Sequence, residues 1–396
     1  MGTRLGEFRF REGRLVGFKL GLVIYPPSVG LERGFKMVFR NIAGVKIGEL
    51  GSDSNVAKVS ELNFELADFG CGGFSFVLDD LPGFSIPYRT QVDIFPYFDL
   101  VAWFTGFIQK TPESGAVRPY TFEGFGFYDQ LSWVFVTKDY SAGQDISAVV
   151  KDIISTIVAP NTQIAYNEAK VEATGYTLLG DISFDHITAD EAVQTLAEAA
   201  QNFEFGVDSG REFYFRAVSS AVVTDLWQGK HFQTLEVQQD PSQIRNKLHV
   251  KVGEIQVGGT NFIDPVSDPD SIAAYGLRED VISAPEVLGT SDATRWAQYR
   301  LSQVKDPIIQ IRIMALLLDQ TLTKLEARGM ARVTAETAAE YTQALRRVNY
   351  HITPAGITAD LELGQIAVPL ELQIVSLLRA IQEEQRLGDQ RTKQLF

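Results

Sequence analysis

Apolar and polar side chains alternate most regularly between Gln91 and Leu131. A period of two places successive side chains on opposite faces of a sheet. One set of alternating positions occupies two runs of this stretch, at Val92, Ile94, Phe104, Gly106 and Ile108. Pro112 and Gly115 favour turns and interrupt the alternation, which resumes at Tyr120. The pattern therefore predicts two long paired strands followed by a third.

Further strands are predicted on both sides of this stretch. Short alternating runs occupy residues 8–77, and a plain hairpin is predicted for residues 348–363, with Asp360 and Glu362 facing water. The glycine cluster at residues 70–73 could cradle a phosphate, but a strand rather than a helix follows it. A tight turn or a bulge is therefore the favoured interpretation of the cluster.

The apolar period changes to that of a helix within residues 132–218, which predicts an α/β insert in a β domain. A second helix of this insert begins at Thr188, whose spacing to Glu191 is that of a capping box. The first helix is predicted to end at Pro160. Its one-sided apolar set consists of Ile146, Val149, Val150, Ile153, Ile154 and Ile157.

The insert is predicted to finish with a hairpin over residues 205–215, in which Ser209 and Gly210 form a two-residue turn. A long strand is predicted at residues 244–257. A further helix is predicted from Ser291 to Val304, ahead of a proline that stops it.

A last helix is predicted to begin at Pro369, a residue suited to the first helical position. Its apolar positions are spaced four, three and four residues apart, at Leu370, Ile374, Leu377 and Ile381. This spacing suits a short coiled coil, and packing of the helix on its own subunit is an equal alternative. The four side chains are the candidate assembly residues.

Composition supports a chain rich in β structure. The 396 residues are 45% apolar and include 26 phenylalanines and 33 glycines, which favours strands and turns in two or three domains. The single cysteine, Cys71, excludes an internal disulfide, and the default site of synthesis is the cytosol. The apolar run at residues 15–25 has Lys19 in its middle and no cleavage site after it, so a first strand is predicted rather than a signal sequence.

The charge of the chain disfavours a surface that grips nucleic acid. With 36 basic and 50 acidic side chains, the net charge is -14, whereas binding to phosphates depends on Lys and Arg. The acidic balance indicates either a soluble exterior or a surface past which DNA can slide.

The sequence predicts no catalytic site, no cofactor and no metal site. The four histidines show no metal-binding spacing, and no nucleophile elbow or phosphate-binding loop is present. The acidic segment at residues 264–271 lacks the glycine and the distal glutamate of a calcium loop, so exposed turn residues are predicted there. Cys71 has no local catalytic signature, which favours a buried thiol.

The order of several motifs resembles that of the tail-tip or baseplate hub proteins of tailed phages and related tail-like particles. The resemblance is sharpest at Asp268–Glu279 (DPDSIAAYGLRE), which is followed by a predicted helix and Pro307. The run from Phe104 to Ile108, the insert opening at Asp145 and the hairpin ending at Gly364 follow the same order. Together these motifs cover nearly the whole chain.

The resemblance implies a mainly β fold with α/β inserts (α+β), which contains two tail-tube-like β-barrels, a helix-containing insert and a C-terminal helix. The implied boundaries are 1–131 with 219–252 for the first barrel, 132–218 for the insert, 253–365 for the second barrel and 366–396 for the helix. Strands near residues 235–252 are expected to complete the first barrel.

The function implied by the resemblance is that of a structural hub, not an enzyme, at the distal end of a phage tail. Three chains would form a ring that joins the sixfold tail tube to the tip and lets DNA pass without specific binding. The implied partners are a distal tail protein or tube hexamer, the tape measure protein, and tail fibre or tip proteins. The alternative is a glycan-binding virion or secreted β-protein, although the four tryptophans are scattered rather than clustered.

Overall fold

The computed structural model describes residues 34–52, 58–97, 99–112, 118–252, 262–284, 290–317, 324–353 and 356–364. The strands of the first third of the chain are β1 (Phe35–Arg40), β2 (Lys46–Gly51), β3 (Val59–Ala67), β4 (Gly70–Leu78), β5 (Gln91–Pro96), β6 (Phe104–Lys110) and β7 (Tyr120–Gly126). The middle of the chain contains β8 (Phe135–Tyr140), β9 (Ile182–Thr188), β10 (Phe203–Val207), β11 (Phe213–Ala217), β12 (Val222–Trp227) and β13 (Thr234–Asp240). The remaining strands are β14 (Lys247–Lys251), β15 (Val266–Ser267), β16 (Glu279–Ser283), β17 (Ile308–Leu317), β18 (Met330–Thr334), β19 (Glu340–Thr353) and β20 (Gly356–Gly364).

The helices are concentrated in the middle of the chain. They are α1 (Ile146–Ile153), α2 (Ala159–Asn161), α3 (Ala189–Ala200), α4 (Pro269–Tyr275) and α5 (Thr290–Val304), with short 3-10 turns at Phe127–Trp133 and Glu168–Lys170. This content confirms the predicted mainly β, α+β fold class.

Fifteen strands form one large sheet, whose main path is β13-β17-β20-β19-β3-β4-β7-β6-β5-β1-β2. The pairing of β18 with β19 and of β12 with β18 extends it at one side. Among the described strands this path is open, and no closed barrel is formed. The antiparallel pairing of β3 with β19 joins the two regions that were predicted as separate barrels, because Leu62 lies opposite Ile352 and Leu66 opposite Val348.

The three strands predicted between Gln91 and Leu131 are confirmed as β5, β6 and β7, which are neighbours in the sheet. The backbones of β6 and β7 approach closely at Gly124, where an added Cβ would lie 2.1 Å from the carbonyl oxygen of Phe107. The predicted C-terminal hairpin is confirmed as β19 and β20. Of the two alternatives for the glycine cluster, the structure favours the bulge: residues 70–73 begin β4, and the register with β3 shifts between the pairs Leu66–Cys71 and Phe64–Phe74. Gly70 follows the turn from β3 with a φ of +100°.

The structure corrects several local predictions. The first helical run ends at Asn161, one residue after the predicted end at Pro160; a π-helical turn follows α1 and places the proline in the first turn of α2, where a missing N–H is tolerated. Thr188 lies at the N-cap of α3, but its side chain makes no capping hydrogen bond. The hairpin of β10 and β11 has a longer turn than predicted, because Asp208 accepts hydrogen bonds from the backbone of Gly210 and Glu212.

The acidic segment at residues 264–271 is also not a simple loop. Asp268 caps α4 by accepting a hydrogen bond from the Ser271 N–H at 2.9 Å, and Pro269 occupies the first turn. The resemblance motif therefore contains a capped helix, and one of its acids is used to begin that helix.

Buried side chains form two hydrophobic cores. The first lies on one face of the large sheet and draws on β1 to β7 as well as on β17 to β20, with Tyr350 as its largest fully buried side chain. The second contains the apolar faces of α1 and α3 together with Leu248, Val250 and Trp296.

The strands expected to complete the first barrel have other partners. β13 pairs with β17, and β14 pairs with β15 and β16 in a separate three-stranded sheet. The reason for the second pairing is that Leu248 and Val250 face the core of the insert. The domain boundaries implied by the resemblance stay a prediction.

Candidate assembly surfaces

The face of the large sheet that points away from the first core carries charges of alternating sign. We call this row the charged stripe; it crosses β13, β17, β20, β19 and β3 at Glu236, Arg312, Glu362, Arg347 and Glu65. The period of two along each strand places these side chains on the other face of the sheet from the buried apolar side chains.

Ion pairs connect the charged stripe across neighbouring strands. The Glu362 carboxylate lies 3.8 Å from Arg312 Nε and 3.5 Å from Arg347 Nη1, and Arg347 Nε lies 3.3 Å from Glu65 Oε1. Opposite charges on facing strands stabilise the register of a sheet. Both arginines of the stripe are thus engaged by carboxylates of the same sheet.

Burial raises the pKa of the Glu65 carboxyl above its ordinary value of 4.5. The Arg347 guanidinium lowers this pKa, while the nearby Glu362 and Asp68 carboxylates raise it further. A carboxyl whose pKa is higher in the folded state than in the unfolded chain stabilises the fold at pH values below 4.5. This contribution is lost as the pH rises through the pKa of the folded state.

We expect Glu65→Gln to change how stability depends on pH. The wild-type chain should gain free energy of unfolding relative to the variant when the pH falls from 7 to 4.5, because Glu65 takes up a proton more readily in the fold. Urea unfolding of both proteins at the two pH values measures the difference. A difference that stays constant, or that moves the other way, would contradict the role of burial.

The sequence predicted that the acids of the C-terminal hairpin face water, whereas in the structure both lie beside basic side chains. Asp360 is half-buried and lies 3.2 Å from His351 Nε2, and Glu362 belongs to the charged stripe. His351 Nδ1 lies 2.8 Å from Asn63 Oδ1 on β3. These contacts arise because β19 lies between β20 and β3, so side chains of three strands meet on one face.

A second set of buried polar groups fastens α5 to the insert. The fully buried Asp292 accepts hydrogen bonds from the backbone N–H groups of Leu179 and Gly180 at 2.9 and 3.0 Å, and it pairs with Arg295. Buried charges of this kind are stable only when paired and hydrogen-bonded. The acid therefore holds the start of α5 against the loop that precedes β9.

A matching contact lies further along α5. The Glu198 carboxylate on α3 accepts a hydrogen bond from the Trp296 indole and lies 2.9 Å from Arg300 Nη2. Because α3 belongs to the insert, the two acids join α5 and the insert into one packed unit with a shared core.

The tip of the β5–β6 hairpin exposes apolar side chains. Leu100 is 96% exposed and Val101 69% exposed, while Asp99 orders the loop by accepting hydrogen bonds from the Leu100 N–H and the Trp103 indole. The hydrogen bond from the Trp103 indole lowers the pKa of the Asp99 carboxyl, and hydrogen bonds from the backbone of Leu100 and Val101 lower it further. An ordered loop that presents two apolar side chains is a candidate contact for another protein.

The four candidate assembly residues, Leu370, Ile374, Leu377 and Ile381, lie outside the described residues. The predicted strand at residues 15–25 also lies outside them. Cys71 is buried, as predicted, and burial raises the pKa of its thiol to about 12. Within the described part of the chain, no three His, Cys, Asp or Glu side chains form a group that could hold a metal ion.

The tryptophans are distributed over both cores and the surface. Trp103 lies in the first core and Trp296 in the second, whereas Trp133 and Trp227 are 38% and 54% exposed. No helix among the described residues is long and apolar enough to cross a membrane.

The fold is similar to that of solved prophage tail proteins, although no family model and no curated protein matches the sequence. The 43 kDa tail protein of prophage MuSo2 from Shewanella oneidensis superimposes with a TM-score of 0.61 at 14% identity, over 83% of this chain and 98% of that protein. A tail protein from Neisseria meningitidis gives a TM-score of 0.59 at 13% identity, over 84% and 97% of the two chains. Prophage tail protein gp18 from Listeria monocytogenes gives 0.55 at 9% identity, over 88% and 99%. The resemblance inferred from the sequence is confirmed at the level of structure, and the chain has the fold of phage tail proteins.

Proposed function

We propose that this chain is a structural subunit of a phage tail or tail-like particle and that it acts as the hub at the distal end of the tail tube. The observation that carries the proposal is the similarity in fold to three tail proteins, two of them from prophages, each covered over at least 97% of its length. A likeness that spans a whole tail protein supports a role in the same kind of assembly.

The proposed assembly is a homotrimer in the form of a ring. The large sheet contains two main regions, β1 to β7 on one side and β12, β13 and β17 to β20 on the other, that meet where β3 pairs with β19. Three chains would present six such regions, which matches the sixfold symmetry of a tail tube. A closed ring satisfies every subunit contact, as oligomers of soluble proteins generally do.

The charged stripe suits the wall of a channel through which DNA passes. Three chains at -14 each carry a total charge of -42, and the two arginines of each stripe already engage carboxylates. DNA phosphates are held where Lys and Arg displace counterions, so a wall whose cations are already paired would let a duplex slide.

The proposed partners follow from this position. They are a distal tail protein or the tail tube hexamer on one side, tail fibre or tip proteins on the other, and the tape measure protein and the genomic DNA inside the ring. The chain would be made in the host cytoplasm and would reside at the tail tip of the virion, with no enzymatic activity of its own. The predicted C-terminal helix would lie near the threefold axis, where its apolar stripe would be covered.

Purified protein should form threefold rings in negative-stain electron microscopy and have a mass three times the chain's 43.9 kDa. Replacement of the four candidate assembly residues, Leu370, Ile374, Leu377 and Ile381, by serine should abolish the rings, because the apolar contact at the axis would be lost. Glu383→Ser combined with Glu384→Ser changes the same predicted helix on its polar side and should leave the rings intact.

A monomeric or dimeric mass for the wild-type chain would contradict the trimeric hub. Rings that survive the fourfold serine substitution would contradict the role of the helix while leaving the trimer in place. Retention of duplex DNA by the rings at physiological salt would contradict the proposed channel wall.

A further inference from the structure

One edge of the large sheet is open in the described part of the structure. β13 forms an end of the strand path and pairs with β17 through seven consecutive partners without a register shift. Its other edge faces no described strand, and five of its seven residues are exposed. A regular strand with one unpaired edge is a template for the addition of another strand.

β13 carries two acidic side chains but lacks the other features that usually protect an edge strand. Its sequence, TLEVQQD, contains no proline and no lysine, and its pairing has no bulge. β2, at the opposite end of the path, does have such features. Its sequence contains Lys46 and two glycines, and its register with β1 is irregular. The edge of β13 is therefore suited to accept a partner strand.

The hydrophobic face of the sheet is also incomplete at β13. Leu235 packs against the first core, but Val237 on the same face is 39% exposed, although its partner Ile311 on β17 is fully buried. A strand added beside β13 with apolar side chains on this face would extend the core and cover Val237.

We propose that the segment from Leu15 to Tyr25 of the same chain adds to the edge of β13. The segment alternates on a period of two and carries an uninterrupted apolar set on one side, at Val16, Phe18, Leu20, Leu22 and Ile24. The other side contains Lys19 between Gly17 and Gly21. One face thus suits the core and the other suits the outer surface of the sheet.

Charge favours the same pairing. The first 33 residues contain six basic and three acidic side chains, a net charge of +3 in a chain whose total is -14. β13 carries Glu236 and Asp240 and no basic side chain. The attraction between a basic segment and an acidic edge adds to the backbone hydrogen bonds that strand addition provides.

The linker joins the segment to the large sheet itself. Residues 26–33 can span up to about 26 Å when extended. They connect the segment to β1, which is the ninth strand from β13 along the path of the sheet but contributes Phe35 to the same core against which Leu235 of β13 packs. The C-terminal residues 365–396 are a poorer occupant, since their apolar positions have helical rather than strand spacing.

Disulfide trapping tests the pairing directly. Gln238→Cys places a thiol on the outer face of β13, and Gly17→Cys, Lys19→Cys and Gly21→Cys place one on the outer face of the segment in three separate double variants. At least one of these should form an intrachain disulfide under mild oxidation, because facing residues of paired strands lie within bonding distance. The native Cys71 is buried and stays protonated, so it does not interfere.

The matched control combines Gln238→Cys with Leu20→Cys, whose side chain would point to the core and should not react. No disulfide in any of the three outer-face variants would overturn the proposal. Disulfides found only between chains would also overturn it, by assigning the edge to another copy. These outcomes are read from single chains on a denaturing gel, so they do not depend on whether the protein forms the proposed ring.

Hydrogen exchange of a chain that starts at Pro27 provides a second measurement. The backbone amides of β13 should exchange about tenfold faster than in the full chain, because the added strand no longer protects them. Exchange in β4 and β7 in the middle of the sheet serves as the internal reference and should not change. Equal exchange of β13 in the two proteins would count against strand addition.

Discussion

Tyr350→Ala should lower the free energy of unfolding by about 4 kcal/mol, the value expected for truncating a large buried aromatic side chain. Tyr350 is fully buried; its ring stacks on Phe64 at 4.7 Å and meets Trp103 at 5.5 Å. Its hydroxyl accepts a hydrogen bond from the Leu325 N–H and donates one to the Leu325 carbonyl, both at 2.9 Å. The substitution therefore removes packing at the junction of β3 and β19 and leaves two backbone groups without a partner.

Urea unfolding measures the effect, and two variants separate its causes. Tyr350→Phe keeps the ring and should cost about 1 to 3 kcal/mol for the unsatisfied groups of Leu325. Tyr88→Ala removes a tyrosine that is 59% exposed and should change stability by less than about 0.5 kcal/mol. Equal effects of Tyr350→Ala and Tyr88→Ala would show that the junction does not depend on Tyr350.

Asp292→Ala should destabilise the protein by about 3 to 5 kcal/mol, as the loss of one member of a buried ion pair does. The substitution leaves the N–H groups of Leu179 and Gly180 without an acceptor and leaves Arg295, whose side chain is only 12% exposed, without its carboxylate. The effect should be concentrated on α5, whose backbone amides should lose protection from hydrogen exchange first.

The controls for Asp292 use an isosteric change and an exposed acid. Asp292→Asn retains one acceptor oxygen and should cost less than the alanine substitution. Asp280→Ala removes an exposed carboxylate that lies 3.4 Å from Arg245 and should have an effect below about 1 kcal/mol. If α5 exchanged at the wild-type rate in Asp292→Ala, the acid would not hold the helix on the insert.

Much of the fold is predictable from the sequence because local patterns decide it. The period of two around Val92 and Ile94, and the helical period from Ile146, are produced by burial of one face of each element, and both elements are found. The end of the first helix was predicted to within one residue, since the helix ends at Asn161, but no local pattern indicated the π-helical turn that follows α1.

The partners of each strand could not be predicted in the same way. The alternation of β13 and β14 shows that each is a strand, but it contains no information about which strand lies beside it. The structure pairs β13 with β17 and places β14 in the core of the insert. The choice depends on contacts between residues far apart in sequence.

The charged stripe was missed for the same reason. Glu65, Arg347 and Arg312 lie in different strands separated by long stretches of chain, and only the register of the sheet brings them together. Of the stripe, the sequence singled out Glu362 alone, as an exposed hairpin acid. Oppositely charged residues at alternate positions of strands could have indicated a candidate pairing, but not which pairs would form.

The contact between β3 and β19 has a consequence for synthesis of the protein. Residues such as Leu62 and Ile352 face each other in the sheet, so this edge of β3 cannot find its partner until the ribosome has made nearly the whole chain. At about 5 to 20 residues per second, the wait is roughly 15 to 60 seconds. A high contact order of this kind slows folding and leaves an apolar strand open to wrong partners on the nascent chain. The pairing of β3 with β19 unites the two halves of the sheet. It is thus also the folding step at which the chain in the cell is most exposed to aggregation.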